Sequence, residues 1–185
     1  MWLSRHWKVL ERTQDHVTVQ IDGHKLKLLP GYFSIVFSEW YLEWERHYLP
    51  PFSLRGKTVL DVGAGCGETA MFYLTHGADK VICVETNPRS LSFLEENANK
   101  NKWNVRIIPG FFTLDMLNYS IDFVKMDCEG CEEALLNVER LPPIALEVHT
   151  ARILQSLIAK FSLKIVGKSG PNWLVTGNSN QVKEK

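Results

Sequence analysis

The residue order predicts an α/β fold: a doubly wound, mostly parallel sheet that ends in an antiparallel hairpin, preceded by a small helix-and-hairpin extension. Three observations carry this. From Thr58 onward short apolar strands alternate with helical stretches, the pattern of parallel strands covered on both faces by crossover helices. One such strand runs directly into a loop with glycines at alternate positions, Val59-Leu60-Asp61-Val62-Gly63-Ala64-Gly65-Cys66-Gly67-Glu68. A second, Lys80-Val81-Ile82-Cys83-Val84-Glu85, ends in an acid about 20 residues past that loop, as an α/β nucleoside site requires.

Taken in order, the first thirty residues read as a short helix followed by a hairpin. Val17, Val19 and Ile21 alternate with Thr18, Gln20 and Asp22, Asp22-Gly23 supplies a two-residue turn, and Leu26 and Leu28 resume the alternation. Arg5, His6, Lys8, Arg12, His24, Lys25 and Lys27, with Trp2 and Trp7, could present a basic-aromatic surface of the kind that meets RNA. Glu11, Asp15 and Asp22 interleave with them, as on an ordinary solvated face. Ser34 to Tyr48 reads as a helix whose Val36, Trp40, Trp44 and Tyr48 repeat every fourth residue, a stripe suited to core packing or to roofing a ligand. Pro50-Pro51 closes this extension, residues 1–55.

The core, residues 56–178, is expected to hold strands at 58–62, 80–85, 105–108, 123–126 and 144–148, with helices up to Thr75, over 89–99, over 132–138 and over 151–160. Asn87-Pro88 caps and opens the second of these helices, because Pro at the first helical position loses no hydrogen bond. Leu163 to Val166 and Trp173 to Val175 flank Ser169-Gly170-Pro171-Asn172, a turn too short for anything but antiparallel pairing. Gly177 to Lys185 is polar and expected to fray, with a flexible tail over 179–185.

Composition narrows the classes. A chain of 185 residues with 45% hydrophobic content supports one well-packed domain. Lys plus Arg, 21, equals Asp plus Glu, 21, so no global field draws the protein to nucleic acid or an anionic membrane. No apolar run nears the roughly 20 residues of a membrane span, and the start lacks a signal-peptide core, so a cytoplasmic location with no membrane partner is expected. Of the four cysteines, Cys128 and Cys131 have the C-x-x-C spacing of a redox pair or half a zinc site. The plainer reading is small apolar packing, since no second C-x-x-C completes a metal site and no metal is expected.

The glycine spacing separates ligands. A dinucleotide fingerprint started at Gly63 needs a third glycine at position 68, where Glu68 stands. The run Leu60-Asp61-x-Gly63-x-Gly65-x-Gly67 resembles instead the first motif of class I S-adenosylmethionine-dependent methyltransferases, whose Rossmann-like fold also ends in an antiparallel hairpin. Glu85 can accept both ribose hydroxyls and would repel a 2′-phosphate.

A second constellation, Lys125-Met126-Asp127-Cys128-Glu129-Gly130-Cys131-Glu132, follows a strand expected beside the first across the topological switch point. It resembles the Lys-x-Asp-x-Glu-Gly-x-Glu signature of FkbM-type methyltransferases, and Ile144-Ala145-Leu146-Glu147-Val148-His149 resembles that family's fifth strand. The resemblance implies S-adenosyl-L-methionine as cofactor and methyl transfer to a hydroxyl of a sugar or related metabolite. It further implies Asp61, Gly63, Ala64, Gly65, Gly67, Glu85, Asn87 and Asp127 around the cofactor, with Asp127 and Glu129 near the transferred methyl. Asp127, Glu129 and His149 are the candidate bases for an alcohol acceptor. Lys125, in a central strand, needs a nearby carboxylate. Adenine contacts are expected around Gly110 and Phe111. The expected partner is a small-molecule substrate, with an RNA or protein methyltransferase or a non-catalytic cofactor-binding module as alternatives, and a homodimer is compatible with any of them.

Overall fold

The extension makes a three-stranded antiparallel sheet of β1 (Trp7–Arg12), β2 (Val17–Ile21) and β3 (His24–Leu28), in that order. The structure is a computed structural model and describes residues 7–36 and 44–182. Asp22 and Gly23 both take positive φ, 47° and 87°, the geometry that lets a two-residue turn match the twist of its strands. Val17, Val19 and Ile21 face the core with Leu26 and Leu28. The helix expected ahead of this hairpin is instead strand β1, because Trp7–Arg12 pairs along the open edge of β2. It lies largely exposed there and so carries no clean alternation to read. Of the basic-aromatic group, Trp2, Arg5 and His6 lie outside the described residues.

The edge of β3 is closed without another strand. Asn97 and Asn101 project from helix α4 (Pro88–Asn101), one turn apart. The amide of each takes one backbone N–H and gives one N–H to a carbonyl of Lys27 and Lys25 respectively, at 2.8–3.0 Å. Asn97 also donates to the Cys66 carbonyl at 2.8 Å, tying the extension to the glycine loop. Lys27 pairs with Glu96 of α4 at 3.0 Å.

The remaining helices are α1 (Pro30–Ile35), α2 (Glu45–His47), α3 (Glu68–Thr75) and α5 (Ala151–Lys160), with 3-10 turns over Leu114–Asn118 and Cys131–Asn137. Helix α1 starts four residues before the expected Ser34 because Pro30 presets its first turn. Trp40 lies outside the described residues, whereas Val36, Trp44 and Tyr48 are buried.

Seven strands form the main sheet: β4 (Thr58–Val62), β5 (Lys80–Glu85), β6 (Val105–Pro109), β7 (Phe123–Met126), β8 (Ile144–Val148), β9 (Phe161–Ser169) and β10 (Asn172–Val182), ordered β6-β5-β4-β7-β8-β10-β9. Strands β4 to β8 are mutually parallel, and β10 enters antiparallel between β8 and β9. The order reverses between β4 and β7, so the carboxyl ends of these two strands border the switch-point crevice. Along β4, Val59 joins the core shared with the extension and α3, while Leu60 and Val62 join the one packed against α5. Two expectations need correction. Strand β10 runs on to Val182, held by Phe161, where fraying was expected from Gly177. Residues 131–137 form a 3-10 turn in place of an α-helix, entered through Gly130 at φ 113°.

Asn97→Ala would leave the backbone groups of Lys27 and the Cys66 carbonyl without partners in a buried setting. Urea denaturation should show a loss of about 3 kcal/mol, against under about 1 kcal/mol for the exposed Lys100→Ala.

Candidate active site

The switch-point crevice, a cavity of about 380 Å³, is lined by Tyr32, Trp44 and Tyr48 on one side and by Gly63, Glu68, Glu85, Asn87, Gly110, Phe111, Lys125, Asp127 and Glu129 around its floor and mouth. A larger hollow of about 520 Å³ opens beside Phe123 and Ile144, at the amino ends of β7 and β8, where ligands of open α/β sheets do not bind.

The floor is set by Lys125, fully buried and directly opposite Asp61 in the β4–β7 register. Its ammonium lies 3.2 Å from Asp61 Oδ1 and donates to the Gly63 carbonyl at 2.8 Å. Thr69 Oγ1 donates to Asp61 Oδ2. Burial works against the charge on Lys125, but Asp61 and Asp127 outweigh it and lift its pKa above the ordinary lysine value. Complete burial likewise pushes Asp61 upward, opposed by Lys125 and Thr69. The carboxylate that Lys125 needs is therefore Asp61, and Asp61 touches the loop through the lysine, without lining the crevice itself.

Gly63 bends the chain at φ 76°, and a β-carbon there would collide with the Asp127 carbonyl, so β4 and β7 approach this closely only with glycine between them. The expectation of bare main chain holds at Gly63 alone. Ala64, Gly65, Cys66 and Gly67 are buried, Gly67 beneath Leu94 and Trp103. Protein groups take the loop's donors: Gly63 and Ala64 N–H donate to the Val84 carbonyl and Gly67 N–H to that of Ala64, while Glu85 Oε2 accepts from Gly65 N at 2.8 Å and Glu68 Oε2 from Cys66 N at 2.8 Å. Glu85 Oε1 accepts further from the N–H groups of Thr86 and Asn87 at 2.8 and 2.7 Å. Asn87 caps α4 through its side-chain oxygen, at 2.9 Å from Arg89 N, and still lines the crevice.

Glu68, which the glycine spacing marks only as a missing glycine, thus lines the candidate site, and sequence reasoning passed it over. The available signal is its place as the first residue of α3, where an acid faces the helix N-terminus. Desolvation pushes its pKa to about 7 despite the opposing backbone hydrogen bonds and Lys125.

Asp127, Glu129 and His149, separated by up to 22 positions in sequence, do come together. His149 Nε2 lies 3.8 Å from Asp127 Oδ1 and 3.4 Å from Glu129 Oε2, and its Nδ1 lies 3.1 Å from Glu132 Oε1. Burial opposes protonation of the ring, but the hydrogen bond and charge of Glu132, then Glu129 and Asp127, raise its pKa above the usual histidine range. Glu129 takes φ 54° and is exposed. Cys128 and Cys131, which bracket it, are joined in a disulfide, so the reading as separate packing thiols gives way, and no thiolate remains there for zinc. Phe111 stands at the mouth, 81% exposed.

The model of the TRM5/TYW2 methyltransferase domain matches residues 18–130, more than half of the chain. The chain belongs to this family. As a methyltransferase domain of class I fold, it uses S-adenosylmethionine. The domain is 19% identical to M. jannaschii TYW2, solved in complex with AdoMet, with a TM-score of 0.60 over 91% of this chain and 87% of that one. The T. thermophilus 16S rRNA N2 G1207 methyltransferase RsmC, solved with AdoMet and guanosine, aligns at TM-score 0.65 and 18% identity over 95% of this chain and 58% of that one. Both likenesses establish the fold. Among curated relatives, the ribosomal protein L11 methyltransferase of Vibrio campbellii is 32% identical over 101 residues, 55% of this chain and 32% of the relative. The domain therefore spans about a third of that relative's length. The family match ends at Gly130, short of Glu147 and His149.

Two outcomes follow. Lys125→Met strands the Asp61 charge in the core and should cost about 3–5 kcal/mol by chemical denaturation, while the Lys125→Met, Asp61→Leu double variant recovers most of it. For Glu68, an unfolded value near 4.5 and a folded value of about 7 mean that the folded chain binds the extra proton between these pH values. Its contribution to stability is fully present below about pH 4.5 and is lost as pH rises to about 7. Measured against Glu68→Gln across pH 4.5–8, the wild type should lose stability through that window and then level off.

Proposed function

We propose that the domain transfers the methyl group of S-adenosylmethionine to a base of an RNA substrate. The observation that carries this acceptor class is Phe111, a large apolar ring 81% exposed at the crevice mouth, within reach of whatever enters toward Asp127. An exposed aromatic face is how proteins stack an unpaired base. Membership of the TRM5/TYW2 family supports the same class.

The residues present suit the cofactor. Four carboxylates, of Glu68, Glu85, Asp127 and Glu129, line the crevice, and the positive charge of a sulfonium and an ammonium is favoured there. The cavity lies within the size range of small-molecule sites. In this reading Glu85, its carboxylate already anchored by three backbone N–H groups, turns its remaining lone pairs to the ribose hydroxyls. Gly63 meets the methionyl end and Glu68 its ammonium, Asn87 and Gly110 border the nucleoside, and Ala64, Gly65 and Gly67 shape the loop from beneath. Asp61 sets the height of Gly63 through Lys125. The cofactor supplies an electrophilic methyl on a good leaving group, so positioning accounts for much of the acceleration. Asp127 and Glu129 orient the acceptor nitrogen and take up its proton.

A second reading, O-methylation of a small hydroxyl compound as in FkbM-type enzymes, is favoured by one observation: His149 closes with Asp127 and Glu129 into a group able to draw a proton from an alcohol. Radiolabelled methyl transfer over tRNA and rRNA, ribosomal protein and sugars distinguishes the two. Label is expected in RNA, and Phe111→Ala should lower kcat/KM on it about tenfold while leaving the thermal shift with S-adenosylmethionine unchanged. Label confined to sugars would replace the first reading by the second. Absence of any thermal shift, or a shift that survives Glu85→Ala undiminished, would overturn both.

A further inference from the structure

The parallel register that pairs Met126 with Leu146 sets the ends of β7 and β8 side by side. Asp127 leaves one, and Glu147 and His149, two residues apart and hence on one face, leave the other. One ligand atom from each of Asp127, Glu147 and His149 lies within 4.8 Å of the other two.

Carboxylates alone would make only an acidic corner, but His149 adds a directional signal. Glu132, fully buried, accepts the His149 backbone N–H at 3.0 Å and faces ring Nδ1 at 3.1 Å, while its second oxygen is held by Gly130 N–H at 2.9 Å. A carboxylate so fixed places a ring proton on Nδ1 and turns Nε2 toward Asp127 and Glu129, where a metal ion would take the place of the proton that those acids favour. That nitrogen is shielded from solvent, makes no hydrogen bond, and lies 3.4 Å from Glu129 Oε2 and 3.8 Å from Asp127 Oδ1. A shielded ring nitrogen without a hydrogen bond costs free energy that a bound cation would recover.

We propose that Asp127, Glu147 and His149 form a binding site for a divalent cation of the Mn²⁺ or Zn²⁺ class. One imidazole nitrogen with two carboxylate oxygens is a mixed donor set of that kind. The ligands have outer support: Glu132 orients His149, and Glu147 is held by Asn172 Nδ2 at 2.8 Å and by the Tyr48 hydroxyl at 3.4 Å. Atoms about 2.1 Å from a common centre lie no more than about 4.2 Å apart, so the three side chains close by some tenths of an ångström on binding. A cation there would sit against the acceptor side of the crevice and acidify a bound hydroxyl or water. That use rests on the transferase reading; the binding does not.

The test takes metal-stripped protein without cofactor, titrated with Mn²⁺ by electron paramagnetic resonance and with Zn²⁺ by calorimetry. One equivalent is expected to bind. His149→Ala and Asp127→Asn should each weaken it by at least about tenfold, and Glu132→Gln, which removes no ligand, by about 10–100-fold with unchanged circular dichroism. The distant Glu96→Gln should bind as wild type. Failure of the wild type to bind either ion, or binding that survives His149→Ala, would overturn the site and leave His149 as a protonated ring clasped by its three carboxylates. A parallel thermal shift of the metal-free protein with S-adenosylmethionine reports on the transferase reading separately, so that either proposal can fail while the other stands.

Discussion

One buried ammonium holds the catalytic edge of this molecule together. Lys125 lies almost wholly buried in the central strand β7, and its charge is tolerated because Asp61 faces it across the ladder and the Gly63 carbonyl accepts a hydrogen bond from it. The same three groups fix the separation of β4 and β7 at the point where the sheet order reverses, which is where the crevice must open. An apolar pair of similar volume would fill the space as well and stabilise the strands as much. It would not pin a loop carbonyl, and that specific tether is what the ion pair contributes.

Around this anchor the glycine loop is shaped by acids. Glu85 and Glu68 occupy main-chain donors that an anionic ligand would otherwise claim, turning a feature associated with phosphate binding into a negatively charged wall. A dinucleotide pyrophosphate would meet carboxylates there, whereas a cationic cofactor meets its complement. The elevated pKa of Glu68, to about 7, has the same origin: a carboxylate kept in place by backbone hydrogen bonds yet short of positive charge. Glycine serves the loop less by opening it to a ligand than by letting two backbones and a helix pack closely, with Asp127 against Gly63 and Leu94 against Gly67.

The two sides of the crevice differ in provenance as well as in chemistry. The glycine loop, Glu85 and the turn after β7 lie inside the stretch that matches the TRM5/TYW2 model. Glu147, His149, Glu132 and Asn172 lie beyond it, on β8, its carboxyl end, the 3-10 turn over Cys131–Asn137 and β10, while Tyr48, which also holds Glu147, lies within it. Asp127 joins the two, standing at the last turn of the matched stretch and at the first ligand position of the unmatched cluster.

Much of the fold was legible because strong local signals coincided with global ones. The apolar runs 58–62, 80–85, 123–126 and 144–148, each bounded by turn residues, form strands over those same spans, and the short link at Gly170 forces β9 and β10 antiparallel. Asp61, Gly63 and Glu85 are marked by a strand, a loop and an acid at set spacings, and Asp127, Glu129 and His149 by a family resemblance; the fold brings the last three together, and it sets Asp61 behind Lys125. What the one-dimensional pattern does not carry is which hydrogen bonds close. Strand β1 exists because an edge of β2 was open, Asn97 and Asn101 stand in for a missing strand, and Gly67 is covered by Leu94 and Trp103, 27 and 36 positions away. The carboxylates of Glu68 and Glu132 are indistinguishable from surface acids until folding removes their water and aims them at Cys66 and His149. Residue types and their spacing determine the fold and its glycine-loop edge by themselves; desolvation and long-range pairing, which exist only once the chain is packed, decide which of the acids are buried and which groups they hold.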